Sequence, residues 1–133
     1  DSVPAFVDAL SDALVTGFTA RTDAAQREWA DEASLARPVT APWGTMPGAF
    51  VLGGYLSEFL AHGWDLAVAT GQPSEADPAL VGPALAAMQR ALPAEPRGGP
   101  EIPFGPVVEP AADAGPTERL ANWLGRSRPV STS

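Results

Sequence analysis

The chain has 133 residues, no Cys, a single His and a formal net charge of -8, from 8 Lys and Arg against 16 Asp and Glu. That is one domain's worth of chain, enough to bury one core. It excludes a disulfide framework, a thiolate metal site, a Cys nucleophile and a self-contained three-His site, and the acidic balance argues against a duplex-binding surface.

All the basic residues are Arg. No apolar run has the length of a membrane span, and no basic-then-apolar leader opens the chain. The expectation is a soluble cytoplasmic protein with neither nucleic acid nor membrane as partner.

Taken in order, the first element is a helix entered at Ser2 or Val3, with Pro4 in its first turn. Phe6, Leu10, Leu14 and Phe18 recur at i,i+4 and form its inward stripe. Gly17 and the threonines at 19 and 22 weaken its end, and residues 24–31 continue as helix with Trp29 inward. Residues 37–48, with three Pro and two Gly, are extended and turn-rich. Val39 and Trp43 are expected to fold this stretch onto the core.

The main element is a helix over residues 49–70, capped by Thr45 or Met46 with Pro47 in its first turn and stopped by Gly71. It is apolar nearly all round, which predicts neighbours on most faces. Gly53, Gly54 and Gly63 cost helix propensity, so another backbone is expected close by. A helix over 78–92 follows, with Asp77 as N-cap, Pro78 at its first position and Val81, Leu85, Met88 and Leu92 inward. Pro83 either kinks it or marks its start. Residues 93–116 form a Pro- and Gly-rich loop anchored by Ile102, Phe104 and Val107. A short helix over 117–124 turns Leu120, Trp123 and Leu124 inward and stops at Gly125. A single helical domain over 1–128 is expected, with 129–133 as a disordered tail.

The central helix carries Ser57, Glu58, His62 and Asp65. Glu58 and His62 are i,i+4, His62 and Asp65 are i,i+3, so the three ionisable groups share one side. In so apolar a helix they are costly unless paired or bound. Three chemistries fit the spacing. Glu58 and His62 can chelate a divalent metal from adjacent turns, with Asp65 behind orienting the imidazole. The trio can act as a general acid/base unit. It can also be a buried hydrogen-bonded network that specifies packing. No catalytic residue is assigned from spacing alone.

The four Trp residues read first as core anchors. Trp64 or Trp43 could alternatively line a pocket beside the polar trio, and Tyr55, one turn before Glu58, could offer its hydroxyl to a substrate or to the carboxylate. Gly53 and Gly54 form no phosphate loop, and Ser57 has no triad. Arg97-Gly-Gly reads as loop chemistry. Arg126 and Arg128 could bind an anion, but read more simply as an exposed terminus.

Residues 58–72 run Glu-Phe-Leu-Ala-His-Gly-Trp-Asp-Leu-Ala-Val-Ala-Thr-Gly-Gln. This resembles the signature of the DinB-like metal-binding proteins related to mycothiol-dependent maleylpyruvate isomerase. Trp43-Gly-Thr-Met-Pro-Gly before the helix, Phe104-Gly-Pro-Val-Val, Pro110-Ala and the ending from Arg119-Leu to Leu124-Gly-Arg extend the likeness over residues 35–128. The resemblance implies an all-α bundle of up to four helices plus the short C-terminal one. It also implies a divalent metal, usually zinc or nickel, bound by Glu58 and His62. The family's further ligand, a His on an early helix, has no counterpart among these residues. The first helix is therefore expected to be missing or rearranged, its place taken by residues 6–18, by a second copy in a homodimer or by another chain. The family's chemistry employs a low-molecular-weight thiol such as mycothiol, acting on small electrophilic substrates. The alternative is a non-catalytic bundle with a degenerate site, used for small-ligand binding or oligomerisation.

Overall fold

The computed structural model describes residues 3–100 and 102–129, with residues 3–10 as backbone only. The chain is mostly helical, with a small two-stranded sheet. It divides into two compact units, Asp1–Ala49 and Phe50–Ser133.

In the first unit, α1 (Val3–Trp29) runs through Gly17 and Thr22 without a break. Thr22 Oγ1 donates to the Phe18 carbonyl 3.0 Å away, a local bond that leaves the helix continuous. The inward stripe is corrected in part: Leu14 and Phe18 are exposed, as is Val15. They have helical spacing, but the short α2 (Glu32–Ala36) that packs on α1 within this unit does not cover them. The Phe6 and Leu10 side chains and the expected Ser2 cap lie outside the described residues.

Asp31 caps α2 by accepting the Ala33 amide at 3.0 Å. The turn-rich stretch is a hairpin, β1 (Pro38–Ala41) against β2 (Gly44–Pro47), antiparallel with Val39 opposite Met46 and Thr40 opposite Thr45. Trp43 sits at its turn, half exposed, not folded into a core. Thr45, Met46 and Pro47 belong to β2, so they do not cap the next helix. That helix starts at Gly48, whose amide donates to the Arg37 carbonyl. A Cβ at Gly48 would lie 2.5 Å from the Trp29 ring and 2.6 Å from the Ser34 carbonyl, so this end of the hairpin closes onto α1 and α2.

The second unit is built from α3 (Gly48–Thr70) from Phe50 onward, α4 (Pro78–Ala91) and α5 (Pro116–Trp123). Its core joins Leu60 and Ala61 of α3, Val81 and Ala84 of α4, and Leu120 with Leu124 at α5. Leu85, Met88, Leu92, Phe104 and Trp123 pack around them. Asp77 caps α4 through the Ala79 amide, and the helix continues through Pro83.

Two expectations for α3 are corrected. Its neighbours cover one side: Val51, Ser57, Leu60, Ala61 and Trp64 are buried, whereas Phe50, Phe59 and Leu66 are about two-thirds exposed. A Cβ at Gly53 or Gly63 meets nothing within 4 Å, so no close backbone compensates those glycines. Buried Ser57 is satisfied locally, its hydroxyl donating to the Gly53 carbonyl at 3.0 Å.

Candidate functional site

Burial of Ala61 and Trp64 fixes the rotation of α3 about its axis, and this places the polar trio on the helix flank. Asp65 lies nearest the covered edge, with its side chain 39% exposed, against 48% for Glu58 and 63% for His62. A buried polar network is therefore not what these residues form. They make a line along the surface of α3. His62 Nε2 is 3.2 Å from Glu58 Oε2, and His62 Nδ1 is 3.3 Å from Asp65 Oδ2. The imidazole thus has a carboxylate at each ring nitrogen.

The line continues into a residue that spacing did not connect to it. Arg126 Nε donates to Asp65 Oδ2 at 2.9 Å. Arg126 is not an exposed terminus, because the end of α5 delivers it here. The Gly125 amide donates to the Asn122 carbonyl, and the Arg126 amide to the Ala121 carbonyl at 2.9 Å. With Gly125 at φ +83°, this is a Schellman stop. The Asn122 side-chain amide also donates to the Arg126 carbonyl, holding that residue's backbone from both sides.

The start of α5 is fixed from elsewhere in the chain. Gly115 at the cap position has no side chain to offer. Instead the Glu75 carboxylate accepts the Thr117 amide at 2.9 Å and the Glu118 amide at 3.2 Å. In return Thr117 Oγ1 accepts the Ala76 amide at 2.9 Å. A negative group on the first-turn amides suits the helix dipole. Glu75→Ala is expected to cost about 1–2 kcal/mol, the worth of a lost cap, read as a lower urea midpoint, with Glu75→Gln intermediate. An unchanged midpoint would show that water replaces the carboxylate there.

Two other arginines, Arg97 and Arg128, are structural clamps. Arg97 stacks over Trp123 at 5.0 Å and donates to the carbonyls of Pro93 and Trp123, tying the long loop to α5. Burial pushes its guanidinium below the ordinary arginine value. Arg128 lies over the Trp64 ring at 5.5 Å and donates to Glu118 and Ser74. The Glu118 hydrogen bond raises the Arg128 guanidinium above its ordinary value.

Of the pocket candidates, Trp64 is 2% exposed and lines a shallow apolar groove with Phe59, Gly63, Ala67 and Pro73. Tyr55 is 43% exposed on the outer side of α3. Trp43 belongs to the first unit.

Among the described residues, no three His, Cys, Asp or Glu side chains converge as a metal cage. Two of them fit as a pair. Ligand distances of about 2.0–2.2 Å to a shared ion place neighbouring N and O donors roughly 2.9–3.5 Å apart for angles of about 90–110°. The Glu58–His62 separation of 3.2 Å falls in that span. Asp65 stands behind the other ring nitrogen, as a carboxylate does behind a metal-bound imidazole.

No family model and no solved structure matches the chain. It is similar to two uncharacterized proteins of Mycobacterium tuberculosis, MT0763 of strain CDC 1551 / Oshkosh and Rv0738 of strain ATCC 25618 / H37Rv. Each is 34% identical over 116 residues, which is 87% of this chain and 63% of the relative. The chain thus spans a little under two thirds of the length of the curated relatives it matches. No helix among the described residues is long and apolar enough to cross a membrane.

Proposed function

We propose that Glu58 and His62 are two protein ligands of a divalent-metal site in a DinB-like helical bundle, and that the site supports thiol-dependent transfer or isomerisation of a small electrophilic substrate. The observation that carries this is the bite of the pair, 3.2 Å between Oε2 and Nε2, with Asp65 at the remaining ring nitrogen. When bound, zinc or nickel would hold an incoming thiol as its nucleophilic thiolate. These residues contain no Cys, which fits an exogenous low-molecular-weight thiol of the mycothiol kind. Two donors are fewer than the three or four that protein zinc sites provide. The others come from an element beyond these residues that covers the outer side of α3, such as a second copy or another chain.

A second use is favoured by the exposure of Phe59 at 67% and Leu66 at 64% on the same helix. Such a surface suits oligomerisation or small-ligand binding without catalysis. Metal analysis of the purified protein, together with its mass in solution, separates the two. The expected result is bound zinc or nickel that is lost in Glu58→Ala and in His62→Ala and that rises with the oligomeric fraction. Absence of metal even after soaking overturns the metal site and leaves the assembly function.

A further inference from the structure

We infer that Arg126 is a positioning residue for His62, acting through Asp65. The role in metal binding rests on the proposed site, whereas the effect on side-chain order does not. A His and an Asp on a helix flank ordinarily sample several rotamers, and holding each in one costs conformational entropy. Here one carboxylate oxygen, Asp65 Oδ2, is shared: it accepts from Arg126 Nε at 2.9 Å and faces His62 Nδ1 at 3.3 Å. The guanidinium that holds it is itself anchored. Its backbone is fixed by the Schellman turn and by Asn122, and its side chain is 24% exposed. The Arg approaches Asp65 from α5's end while the His approaches along α3, so the carboxylate lies between two elements, with the Arg126 hydrogen bond holding it beside the ring. With Nδ1 facing Asp65, Nε2 is turned toward Glu58, the orientation that two-donor capture of a cation requires. The alignment of the ion pair on α3 is therefore set by the C-terminal end of α5.

His62 is the only His in the chain, so its ring signals in a proton–carbon spectrum need no assignment. The test measures the three-bond couplings that report χ1 of His62 and Asp65, and zinc affinity, in the wild type, Arg126→Leu and Arg126→Lys. Arg126→Gln replaces the Leu variant should that one not fold. Expected are single-rotamer couplings in the wild type and averaged couplings in Arg126→Leu, with partial rescue by Lys. Zinc binding is expected to weaken about 10–100-fold, the usual effect of removing a group that orients a ligand. Where the wild type binds zinc, equal affinity in the variant overturns the inference and leaves the metal site standing. Couplings already averaged in the wild type, or unchanged in the variant, overturn it as well. A wild type that binds no zinc but loses its single rotamers on Arg126→Leu supports the positioning role and sinks the metal site.

Discussion

Gly125→Ala is expected to destabilise the Phe50–Ser133 unit by about 3 kcal/mol. Gly125 has φ +83°, where an L-residue pays about 1–2 kcal/mol. The remainder is steric. A Cβ at this position would lie 2.9 Å from both Cα and O of Gly105, which are backbone atoms that no rotamer change can move aside. Relief requires the loop to lift from α5, which also loosens the Val108 amide bond to the Asn122 carbonyl. Urea unfolding measures the effect, and a loss below about 1 kcal/mol would show that the loop yields freely. Gly63→Ala is the internal contrast. Its Cβ meets nothing within 4 Å, so the substitution should be neutral or stabilise by up to about 1 kcal/mol through helix propensity.

Leu120→Ala should cost about 3 kcal/mol, within the 2–5 kcal/mol span of buried Leu truncations. Leu120 is 0% exposed and sits among Leu60, Ala61, Val81, Ala84 and Leu124, so the cavity would open where all three helices meet. Leu66→Ala on the outer side of α3 removes the same atoms from a residue 64% exposed, and should move stability by no more than about 0.5 kcal/mol. The difference between the two Leu variants in chemical denaturation tests the assignment of inner and outer faces, and equal losses would refute it.

Local chemistry made the helices of the second unit legible. Asp77-Pro78 opens α4 and Gly71 closes α3 at φ +69°, as turn and cap preferences require. The inward residues of α4 and α5 also followed from their period. What the pattern did not show is which apolar face is covered. Phe18 and Phe59 have the same helical spacing as core residues yet are exposed, because periodicity records sidedness and not the presence of a neighbour. The α2 turn and the pairing in the hairpin depend on Asp31 as a cap and on register, neither of which an apolar pattern carries.

The site was legible along α3 and not across it. Spacing alone aligned Glu58, His62 and Asp65, because i,i+3 and i,i+4 contacts are properties of one helix. Arg126 stands 61 residues from Asp65, and Glu75 stands 42 from Thr117; only the fold joins them. The signals that were present are modest: Leu124-Gly-Arg places an Arg immediately after a glycine stop, where its backbone has a defined direction. Arg97 gave no such signal, since its partners are backbone carbonyls and the face of Trp123.

The reciprocal bonds between Glu75 and the first turn of α5 bear on how this region acquires its structure. Eight residues are too few to sustain a helix in water, and α5 has no side chain of its own at the cap. It becomes helical only as the Glu75 loop, the Gly105 crossing and the apolar seat for Leu120 arrive together. Its sequence is thus not a portable module: transplanted into another protein it would be coil, and a peptide of residues 116–123 would show almost no helical dichroism. The guanidinium held at its far end inherits that dependence, so Arg126 reaches Asp65 beside the histidine only once the whole three-helix unit has formed.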